Sequence, residues 1–282
     1  MFFSCRTQST LTLLSAVFLA GCAGPVARPS VAPQGVDATA QVWLLGEVHD
    51  NPAGHRQRYE LLRQRVEAGW RPVLVLEQFD RENQDLLNKA QKSCLDAQCL
   101  IRVAGAGRWD WQQYYPLLQL ALTYQLPLVA GNLSRADASR VVRDGMRAVF
   151  DVQGMRDYQL EQALPAEVRA AQSAEIAASH CNMVPDMMIE GMVNAQVARD
   201  IWMARLIREQ LPRDVVLIAG NGHVRKDVGV PHWLASVTPV PSMRSVGYLE
   251  APEARGRYDT VVAVAAPQRP DPCASLRPST PR

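Results

Sequence analysis

Three short runs without a polar residue limit what this chain can fold into. Val42-Trp43-Leu44-Leu45, Val73-Leu74-Val75-Leu76 and Val215-Val216-Leu217-Ile218-Ala219 are too short for buried helices. They have the length and the apolar continuity of strands covered on both faces. Each run ends in polar residues: Gly46-Glu47-Val48-His49-Asp50, Glu77-Gln78 and Gly220-Asn221-Gly222-His223. Gly46 gives the backbone room to turn after the first run. Open α/β sheets bind ligands outside the carboxyl ends of their strands. Glu47, His49, Glu77 and His223 are therefore expected on one rim, which we read as the functional site.

Helical segments fill the intervals. Pro52 to Gly69 reads as a helix capped by Asp50 or Asn51, and further helices are expected over 81–91 and 111–125. Pro127 to Asn132 is a third strand in chain order, and Ser134 is placed to cap the helix that follows. The middle, 137–211, is mostly helical. Its longest segment runs from Pro185 to Gln210, with Met188, Met192, Ala195, Trp202 and Leu206 spaced to share a buried face. Two edge strands, 242–249 and 260–265, complete the pattern. The fold class expected is α/β: one domain with a largely parallel central sheet flanked by helices and a helical middle insertion.

The ends of the chain read differently. Residues 1–21 form a signal peptide whose apolar stretch, Leu11 to Ala20, is too short to span a bilayer. Leu19-Ala20-Gly21-Cys22 resembles a bacterial lipoprotein signal, which implies cleavage before Cys22 and acylation of that cysteine. Ala23, in place of an aspartate, points to the periplasmic face of the outer membrane. Residues 22–40 read as a Pro- and Gly-bearing tether. Residues 41–265 form the domain, and 266–282, with five prolines, read as a disordered tail. With 30 basic and 28 acidic residues and no basic block, nucleic acid is not an expected partner. Cys94, Cys99, Cys181 and Cys273 remain after export; disulfides are expected, with Cys94 and Cys99 the first pair.

Two constellations carry chemistry. Glu47, His49 and His223, with Glu77, supply imidazole and carboxylate donors for a divalent metal. They suit equally an acid–base group, or a buried polar network that ties loops together. Asn132 is a weaker candidate beside them. The second constellation is His180-Cys181-Asn182-Met183-Val184-Pro185 and the methionines up to Met192. Methionine at helical spacing serves as core, but here it also suits a soft surface for a flat macrocycle. Tyr158 and His180 are the side chains placed to reach a haem iron.

Leu44-Leu45-Gly46-Glu47-Val48-His49-Asp50, Val75-Leu76-Glu77, Trp109-Asp110-Trp111 with Tyr114, His180-Cys181-Asn182-Met183, Ala195 to Asp200, and Ala219 to Val224 together resemble the ChaN-like family. Those proteins are iron-regulated lipoproteins implicated in haem uptake, within a wider group that includes Tiki proteases and erythromycin esterases. The resemblance implies a catalytic ancestry for Glu47, His49 and His223. It also implies haem held between two protomers with tyrosine ligation, for which Tyr158 is the candidate chosen on chemical grounds. The reading that follows is an outer-membrane-anchored haem binder acting as a haem-linked homodimer. A metal-dependent hydrolase using Glu47, His49 and His223 is the alternative.

Overall fold

In the computed structural model the described residues are 40–105, 107, 109–251, 256–271, 273 and 274. The segment read as a signal peptide, Cys22 and nearly all of the segment read as a tether lie outside them.

The sheet has six strands: β1 (Val42–Leu45), β2 (Val73–Asp80), β3 (Leu128–Asn132), β4 (Val215–Ile218), β5 (Met243–Leu249) and β6 (Thr260–Ala263). Their order is β3-β2-β4-β1-β5-β6, and every pairing is parallel. The three apolar runs are thus three of the four inner strands, and β1 lies between β4 and β5. Side chains alternate across a strand, so each run feeds two cores. Val42, Leu44, Val75, Val215 and Leu217 face one core; Trp43, Leu45, Leu74, Leu76, Val216 and Ile218 face the other.

Helices cover both faces. On the second core pack α1 (Pro52–Glu67), α2 (Gln84–Ser93), α3 (Ala97–Ala104) and α4 (Trp111–Thr123). On the first lies the middle insertion: α5 (Arg135–Asp144), α6 (Val152–Asp157), α7 (Ala166–Ser179) and α8 (Asp186–Gln210), followed after β4 by α9 (Val230–Ala235). Asn51 caps α1, its Oδ1 accepting from the Gly54 amide at 2.8 Å, and Ser134 caps α5 through the Asp137 amide.

Several expectations are corrected. Segment 242–249 is not an edge strand: β5 pairs with both β1 and β6. Ala195 is buried as expected, together with Val193, Val197, Ala198, Ile201, Met203, Ala204 and Ile207, while Met188 is exposed and Met192, Trp202 and Leu206 are partly so. Helix α3 was not read from the sequence; only Asp96, accepting from the Cys99 amide at 2.7 Å, announces its start.

Cys94 is bonded to Cys99 and Cys181 to Cys273. The second bond ties down a segment read as tail. Arg269 in that segment also pairs with Glu250 at 2.7 Å and Asp50 at 3.0 Å. The chain is therefore held against the domain as far as Cys273, beyond the expected boundary at residue 265.

Asn51 is fully buried and also donates to Glu250 Oε1 at 2.7 Å and the Ala265 carbonyl at 2.9 Å. Asn51→Ala should lower stability by about 1–2 kcal/mol through the lost cap and the lost bonds to Glu250 and Ala265. Urea unfolding should show a lower midpoint with an unchanged slope.

Candidate functional site

The strand ends bring Glu47, His49, Glu77 and His223 to one rim. Glu47, buried just beyond β1, is held by four groups. Its Oε1 accepts from Tyr114 OH at 2.5 Å, His49 Nδ1 at 2.8 Å and Gln78 Nε2 at 3.0 Å. Its Oε2 is 2.6 Å from Arg58 Nη1. Burial pushes the Glu47 carboxyl up, but the Arg58 guanidinium and the His49 hydrogen bond outweigh it and bring it down to about 2. His55, one helical turn from Arg58, fixes the arrangement further. Arg58 Nη2 donates to His55 Nδ1 at 2.9 Å, and His55 Nε2 donates to the His49 carbonyl at 3.0 Å. Burial and Arg58 lower the pKa of His55, which suits this neutral tautomer.

Glu77, on β2, faces the other half of the rim. Its Oε2 accepts from the Gly220 amide at 2.7 Å, and its Oε1 is 3.5 Å from His223 Nε2. On the far side, His223 Nδ1 donates to Asp200 Oδ1 on α8 at 2.5 Å. Burial alone would strip the proton from His223; Glu77 and Asp200, one at each ring nitrogen, raise its pKa to about 10. Burial pushes Asp200 up to about 6 against the pull of His223. The Gln196 amide nitrogen lies 3.1 Å and 3.2 Å from the two ring nitrogens of His223.

The halves meet at Gly220. A Cβ there would lie 3.0 Å from His49 Nε2 and 3.7 Å from Glu77 Oε2, so the close approach of His49 requires glycine. Gly46 is required for the same reason rather than for its turn: a Cβ would fall 2.2 Å from Asn221 Oδ1. His49 is the rim imidazole with substantial solvent access, and it packs edge-on against Trp109 with ring centroids 4.9 Å apart. Burial disfavours its charged form, but Glu47 and Glu77 raise its pKa overall.

Within the rim, Glu47 Oε1 accepts three hydrogen bonds and its Oε2 faces Arg58, while His223 lies between Glu77 and Asp200. Among the described residues, no group of three or more His, Cys, Asp or Glu is spaced to hold a metal ion. Asn132 donates to Asp80 Oδ1 at 2.7 Å and ties β3 to β2. Arg58, Tyr114 and Asp200 were given no role from sequence. Asp200 had a usable signal, a lone carboxylate between Ala198 and Ile201 on an otherwise apolar stripe.

The two haem-ligand candidates do not share a cavity. Tyr158 is buried at the end of α6 and its hydroxyl is pushed up to about 12, chiefly by burial. It borders a cavity on the α9 side of the insertion. His180, at the end of α7, is exposed and borders a different cavity of about 610 Å³ between α5, α7 and α8. His180 Nδ1 donates to the Ile176 carbonyl at 2.8 Å, which leaves Nε2 with the lone pair. Met188, Met192, Arg135 and Arg199 line the same cavity. Gln172, Gln196 and Gly222 form part of its wall, so this cavity backs onto the His223 network.

A sequence profile described as haem-binding uptake, Tiki superfamily, ChaN matches residues 37–234. The chain belongs to that family. Its fold is similar to that of ChaN of Campylobacter jejuni, a structure described for cofacial haem binding, with 20% identity and a TM-score of 0.63 over 74% of this chain and 82% of that one. An erythromycin esterase in its open conformation matches at 16% identity and a TM-score of 0.42, over 78% of this chain and 74% of that one. No curated protein sequence matches the chain.

The His223 assembly gives a signed pH dependence. A histidine whose folded pKa is raised stabilises fully below its unfolded value near 6.5, and this contribution is lost as pH rises through about 10. Stability should therefore decline between those limits. His223→Ala leaves two buried carboxylates without their partner, and should cost about 3–5 kcal/mol at pH 7 while flattening that decline. Urea midpoints taken at pH 6, 8 and 10 for both proteins check it.

Proposed function

We propose that this protein binds haem in the cavity between α5, α7 and α8, with His180 Nε2 as the iron ligand, and assists haem uptake. The observation that carries the reading is an apolar, soft surface left open beside an oriented imidazole. Met183, Met187 and Met188 are 59%, 89% and 54% exposed, next to a histidine whose other nitrogen is tied to the Ile176 carbonyl. Exposed methionines in a folded protein mark an adaptable contact surface, and an imidazole tied at one nitrogen presents the other as a ligand. Arg135 and Arg199 supply the positive charge that haem propionates need. When bound, haem would supply the iron centre and its redox chemistry. The protein's own part is to hold, orient and shield it. Tyr158, behind a separate cavity with its proton held by burial, is the weaker ligand candidate.

Two further parts of the reading rest on the sequence and on general physics. Cys22 after Leu19-Ala20-Gly21 supports an acylated anchor, and Ala23 the periplasmic face of the outer membrane. A haem bound through one shallow face leaves an apolar plane in water, and a second protomer on the methionine surface would cover it. The cofacial haem binding for which the similar ChaN structure is described fits this pairing.

Haemin added to the domain beginning at residue 23 should give a Soret band at one haem per protomer, with conversion of monomer to dimer by light scattering. His180→Ala should weaken binding at least tenfold and shift the band, whereas Tyr158→Phe should leave it in place. A spectrum lost in Tyr158→Phe and unchanged in His180→Ala would reverse the ligand assignment. Cys181 adjoins His180, so Cys273→Ser should loosen that loop and speed haem loss several-fold, while Cys94→Ser should not. Stopped-flow transfer to an apo haem acceptor measures both.

A further inference from the structure

Loop 180–185 joins α7 to α8, and the proposed iron ligand His180 is its first residue. Among the described residues, the hydrogen bonds of this loop stay local. The Cys181 amide donates to the Ala178 carbonyl at 3.2 Å, the Asn182 amide to that of Ala177 at 2.7 Å and the Met183 amide to that of His180 at 3.1 Å. The His180 ring bonds within α7, to the Ile176 carbonyl and the Ser179 hydroxyl. His180, Asn182, Met183 and Pro185 are exposed, so packing adds little. The bond that reaches beyond these two helices is the disulfide from Cys181 to Cys273, 92 residues on. At its other end, the chain from β6 to Cys273 is fastened to the loops after β1 and β5. The Ala265 carbonyl accepts from Asn51 at 2.9 Å, and Arg269 pairs with Asp50 and Glu250. A covalent strap thus fixes the His180 loop to the strand ends of the sheet.

Resting on the haem seat proposed above, we infer that Cys181–Cys273 is a redox latch on that seat, opened by a dithiol partner so that the guest is handed on. Cys181 and Cys273 are partly exposed, with exposed His180, Asn182 and Ala274 beside them, whereas Cys94 is 8% exposed. A thiolate reduces the disulfide it can reach. One thiolate of the dithiol attacks a bridge sulfur, forming a mixed disulfide and releasing the other cysteine, which takes up a proton. The partner's second thiolate closes on its first sulfur and releases the remaining cysteine as a thiol. Two cysteines are thereby reduced and one dithiol becomes a disulfide. The opening acts through backbone geometry. Cys181 sits at a φ of 60° and Asn182 at 56°. Asparagine visits this left-handed region routinely, but for cysteine it is costly, so Cys181 stays there while it is held. With the bridge cut, the end of α7 alone holds it. The neighbouring His180 then loses its fixed position against Met188, Met192, Arg135 and Arg199 across the cavity. The Cys94–Cys99 bond joins residues five apart and borders none of this cavity.

The test uses chain 23–282 loaded with zinc protoporphyrin, whose metal takes an axial ligand and does not exchange electrons with thiols. Dithiothreitol opens the bridge and is removed by desalting under argon, and stopped flow times transfer to an apo haem acceptor. Reduction should speed transfer at least fivefold, and reoxidation should restore the slow rate. Cys181→Ser combined with Cys273→Ser should transfer at the fast rate with or without dithiothreitol, while Cys94→Ser combined with Cys99→Ser should keep the response. Amide hydrogen exchange should rise over 180–185 and 266–274 on reduction and stay unchanged over 193–207, which separates opening of the latch from unfolding. A transfer rate unchanged in protein whose Cys181 and Cys273 are alkylated as free thiols would overturn the latch and leave the seat standing. A response retained when both of those cysteines are serine would overturn it too, as would reduction of Cys94–Cys99 ahead of Cys181–Cys273. Failure of the oxidised chain to bind zinc protoporphyrin would refute the seat, and the latch with it.

Discussion

Glu47 stands at the end of a strand with neighbours on both sides, where water does not reach its carboxylate. An isolated charge there would cost several kcal/mol, so the surroundings must neutralise it in place. Arg58 comes from α1, Tyr114 from α4 and Gln78 from β2, and each is fixed by what it must reach. One carboxylate therefore sets the angle at which two helices meet the sheet. Glu77 repeats the logic on the other side: through His223 it gathers the loop after β4 and Asp200 of α8. Both helical layers are thus pinned at the same end of the sheet by charge rather than by packing alone.

That pinning gives the proposed haem cavity an asymmetric wall. Its inner side, Gln172, Gln196 and Gly222, touches or adjoins the locked Asp200–His223 network, since Gln172 donates to Asp200 Oδ2 at 3.3 Å. Its outer side is methionine, with unbranched side chains that repack at little cost. A rigid floor fixes where a ligand sits, and a compliant flank accommodates its shape. The rim itself keeps one imidazole in contact with solvent, His49, oriented by Glu47 and shielded by Trp109.

The central part of this was legible in the sequence, for physical reasons. Runs such as Val215 to Ala219 admit no other use than an inner strand, and the polar residues that end them had to converge once the strands were parallel. Asn51 and Ser134 announced their helices because a capping side chain has few alternatives. What stayed hidden depended on distance in the chain. Arg58 looks like an ordinary helix residue until its carboxylate partner is known. Met188 was read as one wall of a buried stripe because periodicity cannot tell which of two flanking faces meets the sheet. The segment around Arg269 and Cys273 looked like a tail because its proline content conceals two attachments, each to residues far upstream.

The position of β1 has a consequence for how the molecule forms. β1 is the first strand made, yet its two neighbours in the sheet are β4 and β5, the fourth and fifth. Until β5 has been synthesised, the most apolar strand has no complete pair of edges, and Glu47 has no finished enclosure. The pairings of β1 thus join residues about 170 to 200 apart in the chain, the kind of contact that slows folding. Until those pairs form, β1 keeps unpaired edges, which are templates for pairing with other chains. The strand order thus makes the last third of the chain a condition for closing the first strand's two edges.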